Sequence, residues 1–170
     1  MFARTYSLRT LTAVLFIATA ASVSASNETL KLAIVEGSVA NKAISYGDFS
    51  TSLDKLSSHK PSANNFNNTT GLCVTLIKSN QMAKAKVACS NAVEDAQAIP
   101  ESHRKSAYLR SLSYSNRAIA HYKNNDVSAA ITDIEIAVAT DNNPIVVNNL
   151  QTLKQRTDSF KIEAKTDIAD

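Results

Sequence analysis

The feature that most constrains the fold of this chain is a helix-hairpin pattern that occurs twice clearly and once faintly. The three copies are centred on short polar turns, at Gly47-Asp48, Asn80-Gln81 and Asn125-Asp126. Such turns require a residue with positive φ. Glycine adopts this conformation most readily, and asparagine is the next most tolerant residue type. Regularly repeated hairpins are typical of chains that fold into stacks of similar units. A stack of this kind presents a surface on which another molecule can bind.

The sequence predicts helices along nearly the whole chain after residue 38. Glycine and proline together number only six, and apolar residues recur at the helical intervals of three and four. Helices are expected over 38–46, 49–57, about 68–79, 82–96 and 127–140, and from Pro144 toward Phe160. A further long helix is expected to start at Pro100, because proline suits the first turn of a helix. The turns are 33 and then 45 residues apart, and the extra length is assigned to this helix.

Residues 1–25 differ in composition from the rest of the chain. Arg4 and Arg9 provide a basic start, and the run from Leu11 to Ala21 is almost wholly apolar. This run is shorter than the ~20 residues that a membrane-spanning helix needs. It is followed by small residues that end at Ala25, and signal peptidase cleaves after small residues of this kind. A secretory signal peptide cleaved after Ala25 is therefore predicted. The mature protein is expected to be periplasmic or secreted, without stable insertion in a membrane.

The charge pattern argues against nucleic-acid binding. The chain has 18 basic and 15 acidic residues, and loss of Arg4 and Arg9 with the signal peptide leaves 16 against 15, a net charge of +1. Proteins that bind nucleic acids usually carry a basic cluster on one face, whereas the lysines and arginines here are interspersed with Asp and Glu. The 145 residues after the signal peptide are enough for one domain with its own core.

The third hairpin copy resembles the tetratricopeptide repeat, a helix pair of about 34 residues with small residues where its helices cross. The small, aromatic and large apolar positions of that family are matched by Ala118, Ala130 and Ala137, by Tyr114, and by Ile134. The chain departs from the pattern at Tyr122, one residue late, and at Pro144, two residues late. The resemblance extends over residues 68–144 and, more weakly, over 38–58.

This resemblance implies an all-α fold, in which antiparallel helix hairpins stack as a short α-solenoid and a C-terminal helix caps its end. The expected organisation is a signal peptide over 1–25, a degenerate helical hairpin over 26–60, a linker over 61–67, two hairpins over 68–143, a capping helix over 144–163 and a tail over 164–170.

The chain has two cysteines, Cys73 and Cys89, each eight residues from Gln81 in the second turn. In an antiparallel helix pair these positions lie at equal height, which brings the two Cα atoms within the ~7 Å that a disulfide requires. Disulfides form in the compartments that exported proteins reach, so a Cys73–Cys89 bond is predicted. The alternative is that both cysteines are small buried apolar residues.

The sequence lacks the common motifs of catalytic and metal sites. His59, His103 and His121 are far apart and form no helical i, i+4 pair with a carboxylate. No serine lies in a G-x-S-x-G motif, and three glycines do not supply a phosphate-binding loop. The expectation is a protein without catalytic activity, metal or cofactor.

In tetratricopeptide-like stacks the first helix of each pair lines a concave groove. The resemblance implies that this groove is lined by Asn41, Ile44, Val74, Ile77, Lys78, Ser115, Ile119, Tyr122 and Lys123. The strip is apolar with two lysines at one end, which suits an extended or helical peptide. It lacks the Lys and Asn pattern with which some relatives bind a C-terminal carboxylate, and only Asn116 is a candidate for that role.

The sequence favours a non-catalytic adaptor or scaffold of the periplasm that binds a protein or peptide partner of unknown identity. Two other functions stay open. A small-ligand carrier would use a cavity between helices, and a structural subunit would self-associate into homo-oligomers through the weakly patterned first hairpin.

The signal-peptide assignment gives a first test. The protein recovered from the cell envelope should begin at Ser26, because Val23 and Ala25 supply the small residues that signal peptidase requires. N-terminal sequencing or intact mass measurement checks this, and the variant Ala25→Tyr should remain an uncleaved precursor. A wild-type protein that still begins at Met1 would contradict the assignment.

Overall fold

The computed structural model describes residues 29–58 and 65–166 of the chain, with side chains as far as Asp158. The predicted signal peptide with its cleavage site, residues 61–64 of the predicted linker and residues 167–170 of the predicted tail lie outside the described residues.

The described residues form seven helices and no β-strand. The helices are α1 (Asn41–Ser45), α2 (Phe49–Ser58), α3 (Phe66–Lys78), α4 (Met82–Gln97), α5 (Ser106–Lys123), α6 (Val127–Thr140) and α7 (Pro144–Thr166). The predicted all-α fold class is therefore confirmed for this part of the chain.

Helices α1, α3 and α5 end in the same hydrogen-bonded turn. One residue beyond each helix C-cap has a positive φ, which is 76° at Gly47, 58° at Asn80 and 61° at Asn125. The N–H of the following residue donates to the carbonyl five positions earlier, at 2.9 Å in all three turns: Asp48 to Ala43, Gln81 to Leu76 and Asp126 to His121. This is the Schellman arrangement of helix C-termini. The three turns predicted from the sequence are thus confirmed.

Small side chains fill the interfaces within and between the hairpins α3–α4 and α5–α6. The buried members are Ala85, Ala88, Cys89, Ala92, Ala118, Ala120, Ala130 and Ala137. Small residues at a crossing let the helix axes approach closely. Helix α4 packs against α5, and α7 packs against both α6 and α5.

The odd-numbered helices form the more closely spaced side of the stack. Helix α3 contacts α5 and α5 contacts α7, whereas the fully described helices α4 and α6 do not contact each other. Helices α3, α5 and α7 therefore lie next to one another on one side of the stack.

The predicted bond between Cys73 of α3 and Cys89 of α4 is present as a disulfide, with the two Cα atoms 4.7 Å apart. Both residues are fully buried, in a cluster with Leu76, Ala85 and Ala92. The bond therefore joins the two helices of one hairpin at the height expected from their equal distance to the turn.

Helix α5 starts later than the sequence predicts. Pro100 does not begin it: residues 98–105 form turns, and the helix begins at Ser106. The guanidinium of Arg110 donates to the carbonyls of Ala96, Gln97 and Ile99 at 2.6–3.3 Å. Because the last carbonyls of a helix lack partners within it, this contact stabilises the end of α4. Helices α4 and α5 have 16 and 18 residues, together 11 more than the 10 and 13 of α2 and α3. The extra length of the second interval is therefore helical, as predicted, but it is divided between α4 and α5.

Other element ends differ from the prediction by a few residues. Helix α3 begins at Phe66, so residues 66 and 67 of the predicted linker are helical, and α7 continues past residue 163 to Thr166. A larger difference concerns residues 29–36, which we call the arm. These residues precede α1 and contain neither helix nor strand, although they were expected to belong to the first helical hairpin.

Reduction of the disulfide should lower the free energy of unfolding by about 3 kcal/mol, because the bond closes a loop of roughly 15 residues. Denaturant unfolding with and without reductant measures the change. The double variant Cys73→Ala, Cys89→Ala should be insensitive to reductant. Equal stability of the oxidised and reduced wild-type protein would contradict a stabilising role for the bond.

Candidate functional site

The arm lies across the odd-numbered helices. Lys31 is hydrogen-bonded to α7, Ala33 to α5, and Val39, shortly after the arm, to α3. The arm therefore runs from the last helix of the stack toward the first hairpins, opposite to the order of the helices along the chain. We call the surface of α3, α5 and α7 beneath it the arm-binding face.

Asn116 of α5 binds both polar main-chain groups of Ala33. Its Oδ1 accepts a hydrogen bond from the Ala33 N–H at 2.9 Å, and its Nδ2 donates to the Ala33 carbonyl at 2.8 Å. Only 1% of Asn116 is exposed. A buried polar group that loses its partner costs about 1–3 kcal/mol. The interior position of Asn116 therefore depends on a main-chain partner.

Asn149 of α7 makes the same pair of hydrogen bonds with Lys31. Its Oδ1 accepts from the Lys31 N–H and its Nδ2 donates to the Lys31 carbonyl, both at 2.8 Å. Nδ2 also donates to the hydroxyl of Ser115 on α5 at 2.9 Å. Asn149 and Ser115 are both fully buried. The two amide hydrogens of Asn149 are thus used, one for the arm and one to fix the carboxamide against the neighbouring helix.

These contacts reproduce those of a β-strand with its neighbour. In an antiparallel sheet, the N–H and C=O of one residue are both bound by the residue opposite. Each carboxamide takes the place of that opposite residue, at two arm positions, Lys31 and Ala33, separated by one. The arm-binding face therefore binds the main chain of an extended segment.

The side chains of the arm extend three core clusters. Leu30, Leu32 and Ile34 are partly buried. The three clusters are those of Leu112, of Ile119 and of Val74. Leu30 packs on the first and second of these clusters, Leu32 on the second and third, and Ile34 on the third. Burial of apolar surface is the main favourable term in folding and association. The alternate apolar positions of the arm thus add hydrophobic contacts to the main-chain hydrogen bonds.

Two glycines shape the passage from the arm to α1. Gly37 has a φ of 95°, a conformation that glycine adopts far more readily than other residues. Gly71 lies within α3, where a Cβ would be only 2.6 Å from the hydroxyl oxygen of Ser38. The missing side chain at Gly71 therefore lets the chain cross close to α3. The N–H of Val39 then donates to Oδ1 of Asn68 at 3.0 Å.

The nine residues predicted to line a groove occupy different environments. Those buried in the clusters that the arm contacts are Ile44, Val74, Ile77 and Ile119. Ser115 is buried beside Asn149. Asn41 and Tyr122 are partly buried, and Lys78 and Lys123 are exposed at the ends of α3 and α5. The apolar members and Ser115 therefore lie in the packing beneath the arm.

Sequence reasoning misses Asn149 and the arm. Two signals for them exist in the sequence. Asn116 and Asn149 are 33 residues apart, the same interval as between the first two turns, which indicates corresponding positions in successive units. The run from Leu30 to Ile34 has large apolar residues at the alternate positions 30, 32 and 34, which is typical of an extended segment.

A second polar cluster joins α5 to α6. The Arg117 guanidinium makes a two-point ion pair with Asp133, at 2.7 and 2.8 Å, and lies 5.3 Å from the ring centre of Tyr114. The hydrogen bond with Asp133 raises the pKa of Arg117 above its ordinary value. His121 lies between two carboxylates, 3.7 Å from Asp133 and 3.4 Å from Asp126. The cluster ties the two helices of this hairpin together.

A surface cleft of about 370 Å³ lies near the start of α3 and the end of α4. Its walls include the apolar residues Phe66, Ile99 and Leu109 and the polar residues Asp95 and His103. The volume falls within the range of about 300–1,000 Å³ that is common for small-molecule sites. A small-ligand carrier, the alternative function suggested by the sequence, would find its cavity here, at one end of a hairpin.

Within the described ranges, no cluster of three or more His, Cys, Asp or Glu side chains is arranged to hold a metal ion. None of the helices in this part of the chain combines the length and apolar character needed to cross a bilayer. Comparisons of the chain with protein-family models, curated proteins and solved structures give no significant match. The tetratricopeptide resemblance therefore stays a prediction from the sequence.

The variant Asn116→Asp should loosen the arm. Its carboxylate can still accept from the Ala33 N–H, but its other oxygen faces the Ala33 carbonyl, where a donor is required. The loss should cost about 2 kcal/mol, which corresponds to roughly 30-fold faster hydrogen exchange of the arm amide at residue 33. NMR-detected hydrogen exchange measures this.

The matched control is Asn91→Asp, which changes an exposed asparagine of α4 and should leave arm exchange as in the wild-type protein. Unchanged exchange of the Ala33 amide in the Asn116→Asp variant would contradict the role assigned to Asn116.

Proposed function

We propose that this protein is a non-catalytic adaptor that binds a peptide segment of a partner protein on the arm-binding face. The observation that carries the proposal is the pair of buried carboxamides, Asn116 and Asn149, each bound to both main-chain groups of one arm residue. In peptide recognition of this type, main-chain hydrogen bonds provide affinity and pockets for alternate side chains provide specificity. The binding of the arm by these two carboxamides supports the proposal.

The helix arrangement supports the proposed groove. Helices α3, α5 and α7 are the closely spaced side of the stack, and the arm lies on this side. Solenoid proteins use the extended concave surfaces of their helix stacks for binding. We therefore take the hairpins to be tetratricopeptide-like and α7, which adds Val146 and Leu153 to the core, to be the helix that caps the stack.

The proposed location of the adaptor is the periplasm or the cell exterior. The apolar segment before Ala25 supports export. The Cys73–Cys89 disulfide supports an oxidising compartment, because disulfides are rare in proteins that remain in the reducing cytosol.

The test is affinity capture from the envelope fraction with tagged, full-length mature chains. Because the arm already lies on the face, a partner has to compete with it. The variant Leu32→Asp places a charge at a partly buried arm position, and it should capture more of the partner than the wild-type chain does. Adding Asn116→Asp to Leu32→Asp should remove at least about nine tenths of the captured partner, a tenfold loss that corresponds to about 1.4 kcal/mol.

The matched control combines Leu32→Asp with the exposed change Asn91→Asp and should keep the partner. Equal capture by all variants would place the binding elsewhere and contradict the proposal. A small molecule released from the denatured protein, with no partner captured, would favour the carrier function. A mass that rises with concentration in light scattering, again with no partner, would favour self-association.

A further inference from the structure

We infer that the arm-binding face takes a defined class of ligand, an extended five-residue segment that binds by displacing the arm. The first, third and fifth residues of the segment are apolar, the second is any residue except proline, and the fourth is small. The inference rests on the proposed adaptor function and specifies its ligand. In the structure the arm is a tethered copy of that ligand, and its five positions are Leu30, Lys31, Leu32, Ala33 and Ile34.

Lys31 and Ala33, the two arm residues whose main chain is bound by the carboxamides, differ in the side chains that their positions can accept. Lys31 is exposed, so any side chain is accepted there, but Asn149 Oδ1 needs the N–H that proline lacks. Ala33 is 5% exposed and belongs to the cluster that contains Leu112 and Ala118. A larger side chain at this position would overfill packed space. The fourth position of the ligand is therefore small and is not proline.

The three apolar positions are set by the clusters beneath them. Leu30, Leu32 and Ile34 pack on clusters that follow one another from α7 toward α3. Because alternate residues of an extended segment point to the same side, a ligand that satisfies the two carboxamides places the same three positions on the same clusters. Main-chain and side-chain recognition thus select one register.

The arm is attached in a way that allows it to leave. It precedes α1, contains no regular secondary structure, and joins α1 through Gly37 with its positive φ. Its release keeps all seven helices and the disulfide connected. Release also leaves the carboxamides of Asn116 and Asn149 without their main-chain partners, and an incoming segment restores those hydrogen bonds.

The tether makes the arm a strong competitor. A segment joined by a short flexible linker has an effective concentration in the millimolar range. The apparent affinity of a partner falls in proportion to the fraction of molecules whose face is open. Weakening the arm therefore raises the affinity for any segment that matches the pattern.

The test measures binding of a fluorescent peptide of residues 28–36 to full-length mature chains by fluorescence anisotropy. Two variants weaken the arm: Leu32→Asp removes an apolar contact, and Lys31→Pro removes one N–H and otherwise changes an exposed side chain. Both should bind the peptide at least about tenfold more tightly than the wild-type chain. Adding Asn116→Asp to Leu32→Asp should weaken binding at least about tenfold, and adding Asn91→Asp should not.

Peptide variants test the pattern itself. A peptide with Lys31→Glu should bind like the original. Peptides with Ala33→Pro, which lacks the N–H, or Ala33→Leu, which is too large for the buried position, should each bind at least about tenfold more weakly.

Absence of peptide binding to folded arm variants, or equal binding of the Ala33→Pro peptide, would overturn the inference. Unfolding of both arm variants would also overturn it, because the arm would then be a core element and not a displaceable ligand. A wild-type mass that doubles with concentration would identify the arm of a second copy as the occupant, which equally overturns displacement by a partner.

The experiment uses purified components, so its outcome is distinct from that of the envelope capture. Peptide binding without any captured partner would refute the adaptor function and support the ligand pattern. A partner that is captured and lost with Asn116→Asp, together with no peptide binding, would refute the ligand pattern alone.

Discussion

Two buried carboxamides, those of Asn116 and Asn149, set the requirement on which the arm-binding face depends. The main chain of the helices uses its own N–H and C=O groups internally, so it offers these side chains few partners. The arm has the complementary need, because it has no neighbouring strand to bind its main chain. The carboxamides and the arm main chain are paired by four hydrogen bonds of 2.8–2.9 Å in total. Losing either side would leave buried polar groups unpaired, at about 1–3 kcal/mol each.

This arrangement also constrains how α5 and α7 pack. Two residues of an extended chain span about 7 Å, whereas neighbouring helix axes are usually 8–10 Å apart. The carboxamides must therefore converge on the arm from the closely spaced side of the stack. Ser115, which lies next to Asn116 on α5, holds the Asn149 carboxamide in place.

Much of the fold follows from local features of the sequence. Gly47, Asn80 and Asn125 mark the turns because positive φ is tolerated by few residue types, and the disulfide follows from the equal distance of two cysteines to one turn. Pro100 misleads because proline is compatible with both a helix start and a loop. The side chain that favours the loop is Arg110, which lies ten residues later and binds the end of the preceding helix. A local pattern does not contain that contact.

The sequence by itself determined the helical class, the position of the hairpin turns and the pairing of the cysteines, because each depends on residues close together in the chain or on regular spacing. Only the tertiary structure decided that residues 29–36 lie across α5 and α7. Their hydrogen bonds join residues 83 and 118 positions apart. An asparagine in a helix is equally suited to a cap, an exposed surface or a buried contact, and the choice depends on what packing brings opposite it.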